Sequence, residues 1–454
     1  MKRSISSELA VWKQQQKKKP LILKGARQVG KTWVLKEFGL THYEQEGYRF
    51  HYVDFQASSR IHSIFQESQQ PKEIITLLQF HLNTQIDIAH DLLIFDEIQE
   101  CPEAISSLKY FQQDLPSLDV IAAGSHVGLV SSKESFPVGK INVLHMYPLN
   151  FGEFVQAIDE PAYEYLASHP FTSPIPTIVH ERLLKLFQLY SVVGGLPEAV
   201  GAFKDYCQQD QRKGILAARS IQHDLITGYR ADFAKHSSSV HAMHINSVFD
   251  AVPAQLSQAY DDEVKKFKFK EVIPGKRGLS ELSGPLTWLT TTKLCIKSLI
   301  SSRALHPLAS SCAHNRFKLF LFDVGILNAM LHLPPDALLG DQLGPYKGFL
   351  LENYVAQELY AQTHQDLISW QEGTAEIEFL LSSGSQIIPI EVKSAARSRR
   401  SKSLDSFINR YNPPTAVKLS RQNVGIHRDR SIWTLPIYAA YRLTALLQAD
   451  HDTS

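Results

Sequence analysis

Leu21-Ile22-Leu23-Lys24-Gly25-Ala26-Arg27-Gln28-Val29-Gly30-Lys31-Thr32 is the stretch from which the first part of the chain can be read. An apolar run enters Gly-x-x-x-x-Gly-Lys-Thr, and Trp33-Val34-Leu35-Lys36-Glu37-Phe38 follows. The pattern predicts a buried strand, a glycine-bounded loop and the first turns of a helix. Gly25 and Gly30 let residues 25–32 curl until successive N–H groups point inward, a nest for a β-phosphate at a helix N-terminus. Ala26, Arg27, Gln28 and Val29 form the body of that loop. Lys31 supplies a mobile point charge for β- and γ-phosphates, and the Thr32 hydroxyl can ligate Mg²⁺. The stretch therefore predicts a nucleoside triphosphate site with Mg²⁺.

The second half of such a site is Leu92-Leu93-Ile94-Phe95-Asp96-Glu97, four apolar residues ending in two acids. It reads as a buried parallel strand. Ligands of a doubly wound sheet collect at the carboxyl ends of its strands, so Asp96 is expected to face the phosphate loop and hold Mg²⁺ with Thr32. Glu97 is the candidate for polarising the attacking water. Leu118 to Ser125 reads as a further buried strand, and Ser125 is the candidate sensor of the γ-phosphate or the water, with a plain Gly-Ser turn as the alternative. Around these lie a short helix before residue 20, a strand over Tyr48–Phe55, a helix opened by Pro71, a fifth strand over Ile141–Met146 and a helix N-capped by Asn150.

The composition sets bounds. A chain of 454 residues is expected to form two to three domains, and 44 % apolar with 20 % charged residues describes a soluble globular protein. The formal net charge of +1 excludes a globally basic protein, so any nucleic-acid contact must rest on a local patch. Cys101, Cys207, Cys295 and Cys312 are scattered, without a C-x-x-C pair. That argues against a zinc knuckle and for a reducing compartment. Met1–Glu8 has no apolar core of a signal peptide, and no apolar run is long enough to span a membrane. A cytoplasmic location with no membrane partner is the expectation.

Taken together, Gly25 to Thr32, Ile94-Phe95-Asp96-Glu97-Ile98-Gln99, Ala123-Gly124-Ser125, Tyr147-Pro148-Leu149-Asn150-Phe151-Gly152-Glu153-Phe154 and Gly194-Gly195-Leu196-Pro197 resemble the AAA-type ATP-binding proteins of bacteria and archaea. In those proteins the ATPase is fused to a C-terminal domain of unknown function. His126 stands where that family usually has a small polar residue, and Lys140 where an Arg is usual. The resemblance implies that Gly194–Pro197 belongs to a small helical lid, with a plain helix C-cap turn followed by Pro as the alternative, and that a winged-helix element follows. For that element the sequence offers a helix over Asn246–Leu256, a helix starting at Pro285, and strands over Ala304–Leu308 and Phe317–Asp323. A winged helix either reads DNA or packs domains. No basic recognition face stands out between 246 and 290, which favours packing.

A second chemical constellation lies near the C-terminus. Tyr346–Leu359 reads as a helix carrying Glu352, Ala375–Leu381 as a half-buried strand, and Ile387–Ser394 as its hairpin partner. That pairing brings Glu378 close to Glu391, with Lys393 on the same face as Glu391. Two carboxylates around a Mg²⁺ ion, with a lysine beside its water, suit phosphodiester hydrolysis. The set resembles a PD-(D/E)xK nuclease fold, with Glu352, Glu378 and Glu391 as metal ligands and Lys393 as the catalytic lysine; Glu378 stands where Asp is more usual. A solvent-exposed Glu-x-Lys strand is the alternative. The run Arg397-Ser398-Arg399-Arg400-Ser401-Lys402 is either a grip on phosphate backbone or a solvated loop.

The sequence thus reads as an α/β protein with four parts. Residues 1–155 form an AAA-type P-loop ATPase core, a parallel sheet with helices on both faces. Residues 156–210 form a helical lid, 211–335 a winged-helix-like region and 336–454 a nuclease-like α/β domain. Expected partners are ATP, DNA through the C-terminal domain, and a second copy or another protein. Three functions compete: a nucleotide-driven DNA-processing enzyme, a switch ATPase with a binding-only C-terminal domain, and an ATP-binding protein with both centres degenerate.

Overall fold

A computed structural model describes residues 1–127, 136–235, 238–258, 266–340, 347–394, 401–427 and 431–452. Tyr346 and Arg397 to Arg400 lie outside the described residues, so the basic run is represented by Ser401 and Lys402 alone. The chain divides into two units, Met1–Tyr147 and Pro148–Ser454.

The first unit is built on five parallel strands: β1 (Leu21–Gly25), β2 (Phe50–Asp54), β3 (Leu92–Asp96), β4 (Asp119–Gly124) and β5 (Asn142–Met146). They lie in the order β2-β3-β4-β1-β5. β3 and β4 are buried along their whole length, which is why they read as continuous apolar runs instead of alternating ones. Ile22, Val53, Leu93, Phe95, Val120 and Ala122 join a core closed by Ile61, Phe65, Ile74, Leu78, Leu108 and Phe111. Those come from the helices Ser59–Glu67, Pro71–Leu82 and Pro102–Asp114. The helix Lys31–His42 contacts β2, β3 and β4 and buries Val34, Leu35 and Phe38. Each such side chain contributes roughly 1.5–3 kcal/mol on burial. Because every strand runs the same way, Gly25, Asp96 and Gly124 end at one edge of the sheet.

The second unit opens with helices. The first, Phe151–Ile158, is N-capped by Asn150, whose side chain accepts from Glu153 N while Glu153 Oε2 accepts from Asn150 N. The turn at Gly194–Pro197 is tied into this same unit: Gly195 N donates to Asp323 Oδ2 at 2.7 Å and Gly195 O accepts from Leu149 N at 2.6 Å. Eight strands follow: β6 (Cys295–Ser301), β7 (Cys312–Leu321), β8 (Leu367–Glu372), β9 (Ala375–Ser383), β10 (Gln386–Val392), β11 (Ala416–Ser420), β12 (Gly425–His427) and β13 (Ile432–Pro436). They form one mixed sheet in the order β12-β13-β11-β10-β9-β8-β6-β7. The helix Lys347–Thr363 contacts β6, β7, β8 and β10, while Lys402–Tyr411 packs Leu404 and Phe407 against Trp370, Ile377 and Leu380.

Three expectations for the middle of the chain are corrected. Residues 304–308 form no strand; Pro307 carries no N–H for a ladder, and a 3₁₀ turn, Leu308–Ser311, follows. The strand is Cys295–Ser301 instead. The helix expected from Pro285 starts at Leu279, because Glu281 Oε2 accepts from Arg277 N and Gly278 N and caps the chain earlier. Pro285 forfeits one helix bond, which the burial of Leu282, Trp288 and Leu289 outweighs. Finally, the β6–β7 hairpin is no free wing, since β6 pairs in parallel with β8 and forms part of the C-terminal sheet.

Candidate functional sites

The loop after β1 turns through left-handed backbone at Gln28 (φ 66°) and Gly30 (φ 96°). Gly25 lies so close to β5 that a Cβ there would stand 2.3 Å from Met146 O. Arg3 fastens the loop from outside, donating to Val29 O at 2.9 Å and to Tyr147 O at 2.7 Å. The side chains of Ala26 and Val29 are buried beneath the turn. Arg27 is half-buried and Gln28 exposed. Lys31 is only 5 % exposed and folds back on the loop, donating to Gly25 O at 3.0 Å and Ala26 O at 2.9 Å. Burial pushes its ammonium down to about 8, against the opposing pull of Glu97 and Asp96.

Asp96, 2 % exposed, gathers three donors. Its Oδ2 accepts from Thr32 Oγ1 at 2.6 Å and from Tyr52 Oη at 2.9 Å, and its Oδ1 accepts from Glu97 N at 3.0 Å. The strand-end acid and the loop threonine, 64 positions apart, are therefore in direct contact. Glu97 sits at φ 50°, and its carboxylate accepts from Gln99 Nε2. Gln99 Oε1 packs against Gly124, where a Cβ would meet it at 2.3 Å, so the amide bridges Glu97 to the tip of β4. Ser125 follows that tip, buried, with Oγ 2.6 Å from His126 Nδ1. Threonine hydroxyl, buried carboxylate, loop amides and lysine form a donor set suited to Mg²⁺ and a triphosphate. Tyr52, Gln99 and Arg3 carried no role in the sequence reading. Alternation along β2 places Tyr52 opposite Val53, but its partner Asp96 is 44 residues away.

In the second unit Glu378 and Glu391 do fall together. β9 and β10 pair with Phe379 opposite Ile390, so the next pair outward sets Glu378 opposite Glu391. Lys393 Nζ stands 3.1 Å from Glu391 Oε1 and 4.0 Å from Glu378 Oε1. Burial, with Glu391, Glu352 and Glu376 adding to it and Lys393 opposing, pushes Glu378 up to about 7. Lys393 is lowered by burial, but Glu378 and Glu391 outweigh that and raise it. Glu391 Oε1 also accepts from Ser401 Oγ. Glu352 projects from its helix onto Lys318 Nζ at 2.6 Å, and Lys318 also meets Glu376. This lysine went unnoticed because β7 lies outside the segment expected to hold the centre. The donors fit a metal ion poorly: lysines take up carboxylate oxygens, and among the described residues no three His, Cys, Asp or Glu side chains form a group able to hold one.

Residues 17–155 match the family model described as "AAA domain". Residues 184–337 and 347–440 match two further models, each described as a domain of unknown function (DUF8612 and DUF4143). No curated protein matches the chain. Among solved structures, the Walker-type ATPase Paby2304 of Pyrococcus abyssi is similar at 16 % identity and TM-score 0.45, over 73 % of this chain and 95 % of that one. The Orc1 protein of Aeropyrum pernix, solved with DNA, is similar at 14 % identity and TM-score 0.30, over 74 % and 92 %. DnaA of Aquifex aeolicus, bound to AMPPCP, is similar at 14 % and 0.30, over 64 % and 88 %. The AAA match and the strand order make the first unit an AAA-type P-loop ATPase fold. The model matched at 347–440 lends the nuclease reading no support. No helix among the described residues is long and apolar enough to cross a membrane.

Proposed function

We propose that the chain binds ATP with Mg²⁺ in its first unit and hydrolyses it, and that nucleotide turnover sets the state of a C-terminal binding module. The observation that carries this reading is the contact of Thr32 Oγ1 with Asp96 Oδ2 beside a loop whose lysine is already buried. Thr32 and Asp96 would hold the ion, and the loop amides with Lys31 the phosphates. When bound, the ion neutralises charge on the phosphate oxygens. Lys31 exchanges two carbonyl oxygens for phosphate oxygens and keeps its proton there. Glu97, whose carboxylate accepts from Gln99 Nε2, orients and polarises the attacking water. Ser125, at the end of the intervening strand, supplies a hydroxyl at the same edge.

For the C-terminal domain we favour binding over cleavage, with DNA as the partner to test first because of the basic run at 397–402. A nuclease is the second reading; it rests on the cross-strand convergence of Glu378, Glu391 and Lys393, and the pairing of Lys393 with these carboxylates weighs against it. Calorimetry with ATP and MgCl₂, followed by phosphate release with and without duplex DNA, tests the proposal. Mg²⁺-dependent release that DNA alters, with the DNA left intact, is expected. A folded protein that binds no ATP overturns the first part, and Mg²⁺-dependent cutting of the DNA overturns the second.

A further inference from the structure

Lys318 belongs to β7 yet reaches an acid on β9. In the sheet order, β6 and β8 stand between those strands. Its cross-strand neighbour on β6 is Ser298, and Ser298 Oγ lies 2.7 Å from Ser369 Oγ on β8. Both serines are buried, and their small side chains leave room for the lysine stem to cross the face. At its end the ammonium, on a residue 2 % exposed, stands 2.6 Å from Glu352 Oε1 of the helix Lys347–Thr363 and also touches Glu376 Oε1. Two carboxylates from separate elements thus converge on one cation. Burial disfavours the charged lysine, but Glu352 and Glu376 together outweigh it and hold the group above the ordinary lysine range. Nearby, Glu391 is fully buried, and none of the described residues donates to its Oε2.

We propose that Lys318 is the resident cation of this acidic centre: its ammonium stands where Glu352 and Glu376 would otherwise share a divalent ion, and the centre is complete without metal. This inference is independent of the ATPase reading. A buried ion pair broken on one side leaves an uncompensated charge, so removing Lys318 should cost stability and create a demand for another cation.

The test is Mn²⁺ binding by the nucleotide-free full-length protein, read by calorimetry, with melting followed in parallel. Wild type and Glu352→Gln should give the same Mn²⁺ stoichiometry. Lys318→Met should melt lower, bind one additional Mn²⁺ and regain part of its melting temperature on doing so. Adding Glu376→Gln should abolish that additional site. A wild-type Mn²⁺ site lost in Glu352→Gln overturns the proposal, as does a folded Lys318→Met that gains no Mn²⁺. Where Lys318→Met does not fold, Lys318→Met/Glu376→Gln removes one charge of each sign and must recover the fold; failure to recover also overturns it.

Discussion

Raising the pH should weaken ATP binding through Lys31. Its ammonium is buried against Gly25 O and Ala26 O, and burial has pushed its pKa down to about 8 in the nucleotide-free protein. Only the charged form is attracted to phosphate, and bound phosphate raises its proton affinity. Above pH 8, ATP binding therefore takes up a proton, and affinity falls as pH rises. Lys31 is charged in roughly 90 % of molecules at pH 7 and about 10 % at pH 9, so affinity should drop about tenfold, or about 1.4 kcal/mol, over that range. Calorimetry at saturating MgCl₂, in two buffers of different ionisation enthalpy, reads both the affinity and an uptake of about 0.8 proton at pH 8.5. Lys31→Met should bind ATP more weakly at every pH and lose the pH step. An affinity that stays flat from pH 7 to 9 in the wild type, or falls equally in Lys31→Met, would refute the reasoning.

Gly25→Ala places a Cβ 2.3 Å from Met146 O and 3.2 Å from Val29 Cγ2. It should cost about 1–3 kcal/mol by denaturant titration and abolish ATP binding, since the strand and the loop must part to admit it. Asp323→Ala strips the acceptor from Gly195 N and Ile326 N, two buried donors, and should destabilise the second unit by about 2–4 kcal/mol in urea. Glu358 is pushed up from 4.5 to about 8 by burial, against the bond it accepts from Phe151 N. Between those values the folded state holds a proton that the unfolded state has released, so stability falls as pH rises from 4.5 to 8. Glu358→Gln should flatten that decline, and melting curves at pH 5 and 8 measure the difference.

What the sequence disclosed depended on how local the cause was. β1, β3 and β4 could be read because strands covered on both faces must be apolar throughout, and the loop because its glycines are forced by backbone path. Asn150 was legible as a cap because its partner lies three residues on. The middle of the chain was misread where long-range packing overrode local signals. Pro285 looked like a helix start, yet buried Leu282 and Leu289 carry the helix through it. The strands expected at 304–308 and 317–323 looked like a wing, but β7 pairs with Cys295–Ser301, whose other neighbour β8 lies some 70 residues on, across helices that give no hint of pairing. Tyr52 on Asp96 and Lys318 on Glu352 have the same origin: side chains brought together by sheet order or by helix-on-sheet packing leave no spacing to read.

The most direct measurement of the central claim is ATP binding and turnover by Glu97→Gln beside the wild type. The substitution keeps the shape at the end of β3 and removes the charge that orients water. ATP affinity should be preserved, while phosphate release falls on the order of 10²-fold or more. Equal turnover by the two proteins would contradict the account, because the acid beside Asp96 would then have no part in hydrolysis.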